Sequence, residues 1–392
     1  MPLVPTVSPF DGLLFDPAVV GDVGAATAPP YDVILADELS RFQQASPHSI
    51  TRVDLTFRDG ESTTPDQYTR AGRILRGWID EGALAPVGRP VFFVQEMRFS
   101  YRGEERAIRG VIAEVELHPW GGPIIPHERT MPGPIEDRLS LMRTTHANVS
   151  PIYSVVAGPA APQTELIGRA VVREPDLEVL DERGVLHRLW VEDDSPALSA
   201  WYAEQTLLIA DGHHRYQTAL NYREEMHESH GPGPWDSVMM LLVDATTEDP
   251  PILPIHRVVS TGSLPELPGH LVRDLGEVLA TLVEDDLRFG AAFMRDGDLH
   301  HLIGRLEGEP PTVRALHTNL LDDLPDVKEV RFVPDAVVAE DAVRHGDAQL
   351  ALFLPPARVA NVRAVIDRGE RLPQKSTYFW PKARTGLVVR PL

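Results

Sequence analysis

The chain has 392 residues, 43% of them hydrophobic and 24% charged, enough for two or three domains with cores of their own. Its 37 basic and 58 acidic side chains leave a net charge of −21, which argues against a nonspecific grip on nucleic acid or an acidic membrane but leaves a local basic pocket open. The absence of cysteine excludes disulfides, thiolate chemistry and Cys-ligated zinc.

The 36 prolines, about twice average usage, imply many loops and extended connections. No basic segment followed by an apolar run opens the chain, and no apolar run reaches 18 residues. The expectation is a soluble, cytoplasmic protein with no membrane or nucleic-acid partner. Oligomeric state is not legible.

In chain order, Thr27-Ala28-Pro29-Pro30-Tyr31-Asp32-Val33-Ile34 reads as a rigid entry into a turn or short strand, and Ile50 to Phe57 alternates like a strand. A helix is expected from Pro65, with Thr64 as its N-cap and Tyr68, Ala71, Leu75 and Trp78 or Ile79 on its apolar face. Gly82 ends it. Val91 to Phe99 and Ala107 to Leu117 form an expected hairpin around Gly103.

Ile124-Ile125-Pro126-His127-Glu128-Arg129-Thr130 then places an imidazole, a carboxylate, a guanidinium and a hydroxyl directly after a proline. Proline fixes the backbone and removes a donor, so a held loop or helix start is expected there. A glutamate so placed can act as general base where burial lifts its pKa. Pro132-Gly133-Pro134 leads to a helix expected over Glu136 to Thr145, and Pro151 to Val156 reads as a buried strand. Residues 158 to 205 read as helix, polar hairpin and helix, with the acidic run Asp176 to Asp194 as a solvated face.

The richest stretch is Leu207-Leu208-Ile209-Ala210-Asp211-Gly212-His213-His214-Arg215. An apolar strand stops at Asp-Gly, and a helical pattern follows with Tyr216, Ala219 and Leu220 on one side. A strand turning tightly into a helix leaves backbone N–H groups that favour an anion. Arginine can hold a phosphate bidentately, histidine can donate to an oxyanion or move a proton, and aspartate can accept one. Val238 to Asp244 is a second apolar strand, so residues 207–244 read as a β-turn-α-β unit.

Pro250-Pro251 looks like a boundary, and mixed elements follow: strands over Leu299 to Leu306 and Gln349 to Leu354, helices over Pro334 to His345 and Ala357 to Arg368. His227-x-x-His230 and His300-His301 lack partners at ligand spacing and read as surface or structural residues, so no metal ligand is assigned. Near the end, Lys375-Ser376-Thr377 offers a charge, two hydroxyls and backbone donors, a way to hold an oxyanion. It lacks the glycines of a Walker loop.

Three of these stretches together resemble the signatures of nucleotide-dependent free-serine kinases on the ParB/sulfiredoxin-like fold. They are Pro126-His127-Glu128, Asp211 to Arg215, and Lys375-Ser376-Thr377 with Ser for the first Thr, in the same order. With Ala28 to Ile34, His127 to Arg138 and Asn148 to Ile152, nearly the whole chain is similar to the DUF1015 family.

The resemblance implies an α/β (α+β mixed) protein in three parts. These are an N-terminal α+β domain over 1–118, a ParB/sulfiredoxin-like catalytic core over 119–250, and a C-terminal α/β segment over 251–392 that closes the site. It implies Glu128 as general base, with His127, Asp211 and His214 also catalytic, and Gly212, His213, Arg215 and Thr130 on the nucleotide phosphates. Lys375, Ser376 and Thr377 would hold substrate, ATP or ADP would be the donor with Mg2+, and a hydroxyl compound such as free L-serine the acceptor. About 120 residues precede Pro126-His127-Glu128, and the spacing from Glu128 to Asp211 is wider than in those kinases, which favours phosphoryl transfer over serine in particular. The competing readings are a nucleotide-binding regulatory switch and a metal-dependent hydrolase built on His127, Glu128, Asp211, His213 and His214.

Overall fold

The computed structural model describes residues 3–34, 36–55, 65–128, 130–156, 161–264, 266–283, 286–322, 324 and 326–392. The chain divides into two compact units. One comprises Met1–Pro126, Thr130–Asp249 and Pro381–Leu392; the other comprises His127–Arg129 and Pro250–Trp380.

The first unit is built on a nine-stranded mixed sheet. Along the sheet run Ile124–Pro126, Leu207–Asp211, Ile152–Val156, Ser237–Asp244, Glu104–Glu116, Phe92–Tyr101, Leu186–Glu192 and Leu177–Leu180, with Val7–Ser8 joining Glu104–Glu116. Strands on either side of residue 118 therefore pair within one sheet. The expected hairpin is its centre: Phe92–Tyr101 and Glu104–Glu116 are joined at Arg102 and Gly103, both at positive φ, as a tight right-twisted hairpin turn requires. One core face gathers Phe92, Val94, Val111, Ile152, Trp190, Ile209, Met240 and Leu242 under the helices Ala161–Ala170 and Pro196–Tyr202.

Three expectations need correction here. Leu207–Asp211 and Ser237–Asp244 are not parallel neighbours, because Ile152–Val156 lies between them, antiparallel to the first and parallel to the second. The unit over residues 207–244 is thus no simple βαβ crossover. The alternation from Ile50 is a helical turn, Thr51–Asp54, with Ile50 and Val53 buried. So few apolar positions fit a period of 3.6 as well as a period of 2. Phe57 and the proposed Thr64 cap lie outside the described residues. The helix expected from Glu136 starts at Pro132, because Pro132-Gly133-Pro134 forms its first turn, where the missing proline N–H costs nothing. The helix Pro65–Asp80 does bury Ala71, Leu75 and Trp78, with Ile79 at the surface.

The second unit is a six-stranded antiparallel sheet in the order His270–Val272, Asp298–Arg305, Arg288–Arg295, Leu350–Phe353, His256–Thr261 and Val327–Val333. Alternating side chains feed two cores. Val258, Ala351 and Phe353 pack on one face with Val278 and Ala339 from the helices Leu275–Thr281 and Ala336–Arg344. Val259, Leu350 and Leu352 pack on the other with Phe289, Val313 and Leu316. Successive residues pointing to opposite faces make both cores necessary.

Candidate functional site

Two clusters of chemistry-bearing residues stand out, one in each unit. In the first, the buried strand Leu207–Asp211 lies parallel to Ile124–Pro126, with Ile209 opposite Pro126. Two of the sequence motifs therefore begin at the C-terminal ends of adjacent parallel strands, the end at which open sheets bind ligands. The chain leaves its strand at Asp211, turns at Gly212 and enters the helix His213–His230. Gly212 has φ +97°, and a Cβ there would stand 3.0 Å from Nε and Nη2 of Arg215. Only glycine allows both the left-handed turn and the guanidinium folded over it.

Asp211 is the hinge of this cluster. Its Oδ2 accepts from Nη2 of Arg215 at 2.6 Å, and its Oδ1 accepts from Nζ of Lys382. Nη1 of Arg215 donates to Oγ of Ser150 and to the carbonyl of Pro151, both at 2.6 Å. Nε2 of His214 accepts from the amide of Met131 at 3.0 Å, so a neutral ring carries its proton on Nδ1. His213 is buried at the same helix start. Thr130 takes part in none of these hydrogen bonds. Two cations on one carboxylate beside a helix N-terminus form a place where phosphate oxygens can replace the carboxylate as acceptors.

In the second unit, Lys375, Ser376 and Thr377 are brought onto Glu128. Oε1 of Glu128 accepts from the amides of Ser376 at 2.9 Å and Thr377 at 3.1 Å and from Oγ1 of Thr377 at 3.2 Å, while Oε2 accepts from the amide of Lys375 at 3.1 Å. Lys375 has φ +52°, the left-handed kink that lets successive amides converge on one anion. His127 is fully buried, its Nε2 sits 2.6 Å from Oγ1 of Thr377, and its carbonyl accepts from the amide of Leu372. The first and last sequence motifs are thus one structural cluster, and their residues point at each other.

Two residues escaped the reading of the sequence. Lys382 is buried against Asp211, and its signal was rarity: the only lysines are Lys328, Lys375 and Lys382. Arg257 is fully buried in the second unit. It donates from Nη1 to the carbonyl of Ile255 at 2.6 Å and sits 4.8 Å over the Phe332 ring. Burial pushes its guanidinium down to about 10, against the pull of the Glu128 carboxylate. Nothing in the strand pattern around Arg257 announced it.

Among the described residues no three His, Asp or Glu side chains gather as a metal site. His227 instead hydrogen-bonds with Asp236 and His301 with Glu340. Among the described residues no helix is long and apolar enough to cross a membrane.

The family model described as a protein of unknown function, DUF1015, matches residues 7–318. No curated protein matches. Among solved structures, a free serine kinase in complex with AMP is 13% identical, over 65% of this chain and 83% of that one, with a TM-score of 0.35. SbnI with a C-terminal truncation, from Staphylococcus aureus, is 14% identical over 68% and 84%, with a TM-score of 0.36. A conserved hypothetical protein from Pyrococcus furiosus is 13% identical over 66% and 90%, with a TM-score of 0.32.

Proposed function

The chain belongs to the DUF1015 family of proteins of unknown function, and we propose that it is a small-molecule kinase that moves a phosphoryl group from ATP or ADP to a hydroxyl acceptor. The observation that carries this reading is the Lys382–Asp211–Arg215 arrangement at the start of the helix His213–His230. In-line phosphoryl transfer needs charge neutralisation and positioning more than covalent catalysis, and this cluster supplies both. On this reading the core around it is of ParB/sulfiredoxin-like type.

Each residue has a stated task. Arg215 and Lys382 leave Asp211 for phosphate oxygens, and the amides after Gly212 add uncharged donors. His214, with its proton on Nδ1, donates to the transferring group, and His213 and Thr130 complete the phosphate side. Glu128 takes the proton of the acceptor hydroxyl, its carboxylate aimed by the amides of residues 375–377 and by Thr377, which His127 orients. Magnesium would enter with the phosphates, Asp211 being the one carboxylate of its motif, and would offset charge on the transferring oxygens.

The test is an equilibrium titration of the whole chain with ADP and ATP, with and without magnesium. Arg215→Ala should weaken nucleotide binding by about 2–5 kcal/mol if the guanidinium pairs with a desolvated phosphate. Unchanged affinity would remove Arg215, and with it the phosphate-holding role of the cluster.

A further inference from the structure

The sheet of the second unit ends on an open edge. Val327–Val333 is its last strand and pairs with His256–Thr261 on one side. On its outer side no backbone partner is found among the described residues. The strand has seven residues, whereas His270–Val272 at the opposite edge has three. An open edge presents unpaired N–H and C=O groups, a template for another strand unless it is short or blocked. This one contains neither proline nor glycine. Its one irregularity is at Lys328, the extra residue between the partners of Ser260 and Thr261, and from Glu329 to Val333 the pairing is regular.

Two features of this edge call for a partner. Glu329 is exposed and Arg331 half-buried, and side chains two apart on a strand share a face. Among the described residues neither enters an ion pair, and Nε and Nη2 of Arg331 are buried with no hydrogen-bond acceptor. A buried guanidinium without acceptors is costly, and a carboxylate brought to it would offset that cost. The second feature is apolar. The strand opens at Val327, which is 37% exposed, and it closes at Val333, just before the helix Ala336–Arg344. The first turn of that helix leaves Val337 and Val338 56% and 55% exposed.

We propose that Val327–Val333 pairs antiparallel with the same strand of a second copy of this chain, about a two-fold axis through Val330. In that register Glu329 of each copy faces Arg331 of the other, so two opposite-charge pairs flank Val330 and each guanidinium gains a carboxylate. Val327 falls opposite Val333, which places the exposed Val337 and Val338 at the end where Val327 of the second copy arrives. Moving the axis to Glu329 or to Arg331 sets like charges against each other, so the charge pattern selects one register as well as one partner. Backbone hydrogen bonds supply the affinity, as in other cases of strand addition. The contact uses the same patch twice and closes at two copies. It is independent of phosphoryl transfer.

The experiment is sedimentation equilibrium of the full chain over a wide range of protein concentration, on wild type, Glu329→Arg, Arg331→Glu and the double variant with both changes. Wild type should show a monomer–dimer equilibrium with no larger species. Each single reversal sets two like-charge pairs across the axis and should weaken the dimer by about tenfold or more. The double variant restores both opposite-charge pairs with the signs exchanged, and its dissociation constant should return to within about threefold of wild type, as mutual compensation requires. Because the double variant carries both substitutions, its recovery separates a lost contact from a damaged fold. A wild-type chain that stays monomeric at every concentration overturns the proposal. So does a dimer that neither single reversal weakens, or one that the double variant fails to restore.

Discussion

Replacing Glu128 by Gln changes one oxygen into an amino group and removes one charge. Glu128 accepts four hydrogen bonds, three of them from the amides of Lys375, Ser376 and Thr377. The glutamine amide keeps one oxygen, so one backbone donor must face an N–H instead of an acceptor. At the Oε2 position that donor is the Lys375 amide, 3.1 Å away. A hydrogen bond to a charged group contributes about 1.5–3 kcal/mol and one to a neutral group about 0.5–1.5 kcal/mol. Losing one and weakening the other three by about 1 kcal/mol each destabilises the loop locally by about 4.5–6 kcal/mol. Hydrogen exchange at the Ser376 and Thr377 amides should therefore accelerate by about 10³–10⁴-fold if the loop opens independently of the rest. Exchange unchanged within threefold would show that the carboxylate does not hold this loop. Glu128→Asp keeps the charge but shortens the reach by one methylene, and should fall between the two.

Other predictions concern single interactions. Lys382→Met leaves Asp211 paired with Arg215 alone, and nucleotide affinity should fall by about 1.5–3 kcal/mol; a titration with ADP that matches wild type would show that Lys382 serves only the fold. Gly212→Ala forces a Cβ to 3.0 Å from the Arg215 guanidinium at φ +97°, with a cost of about 1–3 kcal/mol, read as a lower midpoint in urea unfolding. An unchanged midpoint would mean that the turn relaxes freely. His256 is buried, accepts the Leu354 amide on Nδ1, and is pushed by burial, then by Arg257, from 6.5 down to about 4. A folded pKa below the unfolded one means that the unfolded chain binds the proton first. Stability from this histidine is therefore full above pH 6.5 and is lost as pH falls toward 4, by about 2 kcal/mol between pH 7.5 and 5. His256→Asn should remove that much of the difference between unfolding free energies at the two pH values; an equal pH dependence in variant and wild type would contradict the shift.

Much of the local structure was legible because the signals were strong. The hairpin around Gly103 and the strand–turn–helix at Asp211-Gly212 follow from apolar runs broken at residues that tolerate positive φ. The convergence of Lys375, Ser376 and Thr377 on His127 and Glu128 was expected only through resemblance, since a separation of about 250 residues leaves no mark in periodicity. What the sequence hid was pairing order. Nothing in Leu207 to Asp244 says that Ile152–Val156 inserts between its two strands, because strand order is a property of tertiary packing. Lys382 and Arg257 were hidden for a related reason: a lone cation looks solvated until the fold supplies its burial.

The central claim is tested most directly by mixing the protein with ATP or ADP, magnesium and a panel of free hydroxy amino acids that includes L-serine, with Glu128→Gln run in parallel. Phosphorylated acceptor is followed together with ADP from ATP and AMP from ADP. The account predicts product in stoichiometry with the spent nucleotide and loss of turnover in Glu128→Gln while nucleotide binding persists. Tight nucleotide binding by the wild-type protein with no phosphorylated product across the panel would contradict it and favour a nucleotide-sensing switch.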